Sequence, residues 1–100
     1  MDKYSVKLLS RAFHDLDSIY AYIAETLLEP GTAQQLLDTL EEAIFSLEKL
    51  PRRGAPRKNG VFANRGYRQL FINNFTVVYR VDDDKKQVVI VTIRYSRSQF

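Results

Sequence analysis

A run of positively charged side chains in the second half of the sequence is the feature best suited to chemistry. Six Arg and Lys residues occur between Leu50 and Leu70 with no Asp or Glu among them: Arg52, Arg53, Arg57, Lys58, Arg65 and Arg68. Guanidinium groups donate hydrogen bonds in a planar fork that matches phosphate and carboxylate oxygens. The stretch therefore predicts a surface that binds a polyanion or an acidic protein segment. The alternative is an ordinary solvated loop.

Further arginines and tyrosines follow in segments rich in β-branched residues: Tyr79, Arg80, Arg94, Tyr95 and Arg97. Arginine side chains can stabilise negative charge and tyrosine side chains can take part in proton transfer, so these residues are candidates for chemistry on an anionic group. The alternative is that the arginines face solvent on strands and that the tyrosines pack in a sheet. Because successive side chains of a strand point to opposite faces of the sheet, the positions of these arginines along their strands determine whether they lie on the same face.

Few residues are available for metal binding or thiol chemistry. The sequence has no cysteine, which excludes disulfides and thiolate zinc sites, and it has one histidine, His14. We expect His14 to be a partly exposed helix residue. The three aspartates at 82–84 have the wrong spacing for a calcium loop, and we expect them to form a solvated turn. No metal or other cofactor is therefore expected.

The length and composition are typical of a single folded domain. With 100 residues, of which 45% are apolar and 27% charged, one core is expected, and residues 1–100 are assigned to one domain. No segment approaches the ~20 apolar residues of a membrane span. The first residues lack the apolar core of a signal peptide. A cytoplasmic protein without membrane contact is therefore expected.

The charge is divided unevenly between the two halves. Residues 1–49 carry a net charge of −5, whereas residues 50–100 carry +8. Such asymmetry indicates a polyanionic or acidic partner for the second half. The alternative is that acidic helices and a basic sheet neutralise each other within the fold.

Hydrophobic periodicity predicts the helices that support these side chains. After a short alternating strand at 4–8, apolar residues spaced three and four apart predict helices over 11–28 and 32–50. Ser10 is placed to cap the first helix, and Thr32 with Gln35 to form a capping box on the second. Two long helices joined by a few residues pack as an antiparallel hairpin.

The remaining residues predict a loop followed by three strands. Residues 51–66 are rich in Gly, Pro and Asn and are expected to form the loop. Strands are expected over 67–72, 75–81 and 87–95, with Asn73-Asn74 in the first turn between them. The uninterrupted apolar run at 88–91 predicts a strand covered on both faces. The fold class is therefore α+β, in the order β-α-α-β-β-β, with an antiparallel sheet that has a helical hairpin packed on one face.

Several local sequences, in this order of elements, resemble those of the RelE/ParE superfamily of bacterial toxins. They are Ala12–Ile23, Leu47–Pro51, Gly66–Leu70, Val77–Asp82 and Ile93–Arg97. The first has an alanine followed by Asp-Leu, Ile and Tyr-Ile, the second a proline before a basic loop, and the last a trailing arginine. The resemblance covers nearly the whole chain. It implies a RelE/ParE-like fold and the toxin half of a type II toxin–antitoxin, or plasmid stabilisation, pair that arrests growth when it is free.

The superfamily has two activities on one fold, and a fold alone does not choose between them. ParE-like members inhibit DNA gyrase, whereas RelE-like members cut messenger RNA in the ribosomal A site. The position of a strand arginine in the RelE-like pattern is matched by Thr76, which cannot supply a cation, and this favours the ParE-like branch. For the alternative, a metal-independent endoribonuclease, the resemblance implies these candidate catalytic residues: Arg80, Arg94, Tyr95 and Arg97. Whether the protein is an enzyme therefore depends on its target.

A third possibility is a non-toxic remnant that only binds an antitoxin. The tail at 96–100 favours it, because one arginine and a terminal phenylalanine stand in place of a Gly-Arg-Arg-like stretch. The resemblance implies a cognate antitoxin as partner, whose C-terminal segment wraps the toxin, and the charge of the second half predicts that this segment is acidic. The other expected partners are DNA gyrase, or the ribosome with its messenger RNA.

Overall fold

The computed structural model describes residues 3–97 and places two helices against a five-stranded mixed sheet. The strands are β1 Ser5–Leu8, β2 Ala55–Pro56, β3 Tyr67–Ile72, β4 Phe75–Asp82 and β5 Gln87–Tyr95, and the helices are α1 Ser10–Ala21 and α2 Pro30–Phe45. The predicted α+β class and order of long elements are confirmed, and β2 is an additional short strand inside the predicted loop. None of the helices within residues 3–97 is long and apolar enough to cross a membrane.

The helix ends differ from the sequence prediction. Leu9 is the N-cap of α1, so Ser10 is the first helical residue rather than the cap. The same helix continues into a π-helical turn over Tyr22–Thr26. The second helix begins at Pro30, because the fixed φ of proline suits a first helical turn. The predicted capping box at Thr32 is therefore wrong, and its hydroxyl donates to Glu29 Oε2 at 3.0 Å instead.

The strand order across the sheet is β1-β5-β4-β3-β2. The pair β1–β5 is parallel and the other three pairs are antiparallel, so the sheet is mixed rather than wholly antiparallel. Alternation in the sequence defines the faces of a strand but not the direction of its neighbour, so it did not predict the parallel pairing of β1 with β5. The β3–β4 turn agrees with the prediction, since Asn73 has a φ of +53°.

The core lies between the helices and one face of the sheet. Leu16, Leu40 and Ile44 of the helices pack in one cluster with Val77 and Ile90 of the sheet. Each such side chain stabilises the fold by roughly 1.5–3 kcal/mol when fully buried. All residues of β5 from 88 to 93 are buried, as the apolar run predicted for a strand covered on both faces.

Candidate functional site

Hydrogen bonds at Gly54 connect the basic stretch 52–68 to the sheet. The Gly54 N–H donates to the buried Tyr79 hydroxyl at 3.0 Å. Its carbonyl oxygen accepts two hydrogen bonds from Arg68, from Nε at 3.0 Å and from Nη2 at 2.6 Å. Strand β2 then pairs with β3 directly after this point. Arg68 therefore holds the start of the loop against the sheet.

Arg57 is buried and forms hydrogen bonds within the loop and to β3, so it is not a solvated cation. Only 7% of the residue is exposed, and its guanidinium donates to the Val61 carbonyl at 2.7 Å and to Gln69 Oε1 at 2.9 Å. Burial, and secondarily the charge of Arg94, lowers the pKa of Arg57. Arg57 therefore joins the loop to β3, and at this position the alternative of an ordinary solvated loop does not hold.

Arg52 has an acidic partner that lies far away in the sequence. It forms an ion pair with Asp83 of the β4–β5 turn, and the Tyr4 hydroxyl donates to the other oxygen of that carboxylate at 2.7 Å. The hydrogen bond from Tyr4, followed by that from Arg52, lowers the pKa of Asp83. Asp83 in turn raises the pKa of Arg52. The turn at 82–84 is therefore not purely solvated, since one of its aspartates joins three segments of the chain.

The exposed cations of the stretch form a smaller set than the sequence suggests. Arg52, Arg53, Lys58 and Arg65 are exposed, and of these Arg52 is paired with Asp83. Arg53 donates to the Ser46 hydroxyl at 2.7 Å, which keeps it near the end of the helical layer. Charges of this kind remain available to a polyanion, whereas the guanidinium groups of Arg57 and Arg68 are engaged with carbonyl and amide oxygens of the fold.

The sheet face opposite the helices carries the strand arginines. Cross-strand pairing places Phe71, Thr76 and Arg94 in one row across β3, β4 and β5. Another row contains Tyr67 and Arg80, and the Tyr67 ring lies 5.0 Å from that of Phe62. Arg80 is exposed and Arg94 half-buried. The structure therefore brings Arg80 and Arg94 to one face together with two aromatic side chains.

Tyr95 does not join these arginines. It follows Arg94 directly in β5, so its side chain points to the opposite face of the sheet, where its ring packs 5.8 Å from that of Phe75. Arg97 is exposed beyond the end of the strand. The candidate catalytic residues are therefore split between two faces, and residues 98–100 of the tail lie outside the described residues.

Thr76 occupies a structural position on the arginine-bearing face. It is 2% exposed, and its hydroxyl lies 2.8 Å from that of Ser96, within hydrogen-bond distance. His14 is exposed on α1. No three His, Cys, Asp or Glu side chains within residues 3–97 are arranged to hold a metal ion.

A groove runs beside β1, at the opposite edge of the sheet from β2. It encloses about 680 Å³ between β1, α1 and α2, and we call it the β1-edge groove. Phe13 of α1 and Phe45 of α2 line it although 57% and 50% of their surfaces are exposed. Large apolar side chains exposed side by side typically mark a binding surface.

Comparison with protein families identifies the chain. Residues 6–100 match the model of the family described as "ParE toxin of type II toxin-antitoxin system, parDE". The chain belongs to the ParE toxin family. A comparison with curated protein sequences gave no significant match.

Solved structures agree with the ParE family assignment. A chromosomal ParDE toxin–antitoxin system from P. aeruginosa matches with a TM-score of 0.76 and 27% identity, over 95% of this chain and 98% of that one. The RelBE2 toxin–antitoxin complex from Mycobacterium tuberculosis matches with a TM-score of 0.68 and 22% identity, over 93% and 98%. Isolated E. coli RelE matches with a TM-score of 0.62 and 14% identity, over 96% and 87%. The latter two establish similarity of fold.

In this ParE-family chain Asp15 accepts hydrogen bonds from the part of β5 that β1 does not pair with, a role the sequence did not reveal. The pairing of β1 with β5 ends near Ile90, which accepts the Leu9 N–H at 3.0 Å. Beyond that point, Asp15 of α1 accepts a hydrogen bond from the Thr92 hydroxyl and one from the Ile93 N–H at 3.1 Å. The carboxylate thus accepts the Ile93 N–H hydrogen bond that a neighbouring strand would otherwise accept. Its distance from Thr92 in the sequence, 77 residues, hides the contact from any local pattern.

We expect Asp15→Ala to lower the free energy of unfolding by about 1–3 kcal/mol, because it leaves the Ile93 N–H and the buried Thr92 hydroxyl without an acceptor. Urea denaturation measures the change. Asp17→Ala, at an exposed acid two residues away on the same helix, is the matched control and is expected to stay within about 0.5 kcal/mol of the parent. Equal stability of the two variants would contradict a structural role for Asp15.

Proposed function

We propose that this chain is a growth-arresting toxin of a type II toxin–antitoxin pair and that it acts in the cytoplasm by inhibiting DNA gyrase. Membership of the ParE family supports the toxin class. Two geometric observations support the choice of target. Thr76 is buried against Ser96 where the ribonuclease pattern has an arginine, and Tyr95 lies on the opposite sheet face from Arg80 and Arg94. A metal-free ribonuclease requires its proton-transfer and charge-stabilising groups to converge on one phosphate.

A second candidate function, ribosome-dependent cleavage of messenger RNA, has one observation in its favour. The helix-free sheet face combines Arg80 and Arg94 with the exposed Phe71 ring. Cations beside aromatic rings are suited to single-stranded nucleic acid, because the rings stack on bases while the guanidinium groups contact phosphates. Arginine remains protonated and cannot act as a general base. A third candidate is a non-toxic module that only binds an antitoxin. It differs from both toxin candidates in that its expression leaves growth normal.

Growth is the first test of the proposed function. We expect expression of this chain alone to arrest bacterial growth, and co-expression of its antitoxin to restore it. Soluble expression with normal growth would contradict the toxin assignment and leave the binding module.

The purified protein then separates the two targets. We expect it to block supercoiling of relaxed plasmid by gyrase and to leave messenger RNA intact in a translating extract. The Arg80→Ala/Arg94→Ala variant, confirmed as folded by circular dichroism, is expected to remain an inhibitor of gyrase. Cleavage at A-site codons that this variant loses, with supercoiling unaffected, would reverse the assignment.

We further propose that the two edges of the sheet have different partners. The β1-edge groove is the antitoxin surface, because it presents apolar rings and the open edge of a strand. Lys58 and Arg65 are exposed on the loop between β2 and β3 and form the target surface. The first and last of five strands are separated by roughly 19 Å, at ~4.8 Å per strand. An antitoxin segment confined to the groove therefore leaves these cations uncovered.

A further inference from the structure

Two carboxylates line the β1-edge groove without a partner among residues 3–97. Asp17 of α1 and Glu41 of α2 both contribute to its walls and are exposed. The salt bridges of this part of the chain join other residues. In the free protein, water solvates these carboxylates. A partner that fills the groove removes that water, and a desolvated carboxylate without a counter-charge strongly opposes binding.

The groove's own lysine is poorly placed to neutralise them. Lys7 is the cation among the lining residues, and it lies in β1 between Val6 and Leu8. Val6 and Leu8 pack against the core on the helix side of the sheet. Because neighbouring side chains in a strand point to opposite faces, Lys7 projects away from the helices that carry Asp17 and Glu41.

The helical layer as a whole has the same sign of charge. Residues 10–45 contain seven Asp and Glu residues but only one cation, Arg11. An acidic field of this kind attracts cationic segments and repels acidic ones before contact is made. The antitoxin segment that occupies this groove is therefore expected to be cationic, in place of the acidic segment that the charge of the second half predicts.

The strand at the groove defines the shape of its occupant. The Ser5 and Leu9 N–H groups donate to the carbonyl oxygens of Lys86, just before β5, and of Ile90 in β5, each at 3.0 Å. Backbone groups alternate in direction along a strand, so those of Val6 and Leu8 point to the open edge. An extended peptide can pair with them as an added strand. Every second side chain of that peptide then points into the groove below the helices.

We propose that the β1-edge groove selects an extended segment of alternating apolar residues that carries a Lys or Arg directed at Asp17 and Glu41. Phe13 and Phe45 provide the apolar contacts, and the two carboxylates set the sign of the charge that the segment must carry. Asp17 and Glu41 are thus specificity-determining residues. Assigning the segment to an antitoxin rests on the proposed function, whereas its chemistry rests on the groove alone.

Selection from a displayed library of random twelve-residue peptides tests this chemistry directly. Immobilised full-length protein is compared with two folded variants, Glu41→Lys and Glu42→Lys. Glu42 is exposed on the same helix but does not line the groove. The second variant therefore makes the same change of net charge at a position outside the groove. We expect alternating apolar peptides with a shared Lys or Arg on the parent and on Glu42→Lys, and peptides with Asp or Glu at that position on Glu41→Lys.

The strongest parent-selected peptide is then labelled and titrated by fluorescence anisotropy. We expect Glu41→Lys to weaken binding by at least ~10-fold and Asp17→Asn to weaken it by a smaller factor, whereas Glu42→Lys stays within about 2-fold. Peptides that are acidic, peptides without a charge preference, equal binding to Glu41→Lys, or failure to select any peptide would each overturn the proposal. Self-association lost in Glu41→Lys would also overturn it, because the occupant would be a second copy. Growth arrest is measured separately, so a non-toxic protein that still selects cationic peptides would contradict only the proposed function.

Discussion

Gly54→Ala is expected to destabilise the protein by about 3 kcal/mol or more, because a methyl group has no space at this position. A Cβ atom built on Gly54 would lie 2.4 Å from the Gln69 carbonyl oxygen and 2.7 Å from the Tyr79 hydroxyl. The first is backbone within a paired strand, and the second belongs to a fully buried ring. Relief therefore requires β2 to separate from β3, which also breaks the hydrogen bonds from Gly54 to Tyr79 and from Arg68 to Gly54.

Urea denaturation compares this variant with Gly31→Ala. A Cβ on Gly31 meets no atom within 4 Å, and Gly31 lies in the first turn of α2. Alanine there is expected to be neutral or to stabilise by up to about 1 kcal/mol, since glycine is a poor helix former. A Gly54→Ala protein as stable as the parent would show that the loop is not fastened to the sheet as described.

Periodicity was sufficient to predict the elements, because burial of one face imposes a local spacing on the residues. The two helices, the three long strands and the Asn73 turn follow from neighbouring residues alone. The parallel pairing of β1 with β5 does not, because it joins Ser5 to Gln87 and depends on the path of the chain between them. The same limit hid β2, whose two residues resemble the rest of the loop.

Residue type predicted the candidate site less well than it predicted the fold. Six cations without a local acid suggested one surface available to an anionic partner, but Asp83 lies 31 residues from Arg52 and still pairs with it. Arg57 is buried because Gln69 and the Val61 carbonyl accept its hydrogen bonds, and no sequence pattern marks those acceptors. Alternation could have separated Tyr95 from Arg94, since adjacent strand residues point to opposite faces. That signal was present in the sequence.

The second large effect concerns the cations that the fold leaves exposed. We expect Lys58→Glu/Arg65→Glu to weaken inhibition of gyrase by about 100-fold, because it replaces attraction to an anionic surface with repulsion, and like-charge contacts cost several kcal/mol. Both side chains are exposed, so the free energy of unfolding is expected to change by no more than about 1 kcal/mol. Supercoiling assays give the activity and urea denaturation the stability.

The control is Arg11→Glu/Lys85→Glu, which reverses two exposed cations outside the basic stretch and changes the net charge by the same amount. A general effect of net charge would weaken inhibition equally in the two double variants, whereas a contact made by Lys58 and Arg65 would weaken it only in the first. The salt dependence of inhibition provides a second comparison between the two variants. If the target surface includes nucleic-acid phosphates, each lost contact reduces the slope of log affinity against log salt by about one. Equal inhibition and equal salt dependence in both variants would mean that the loop at 58–65 is solvated but not functional, and the search for the target surface would move to Arg80, Arg94 and Arg97.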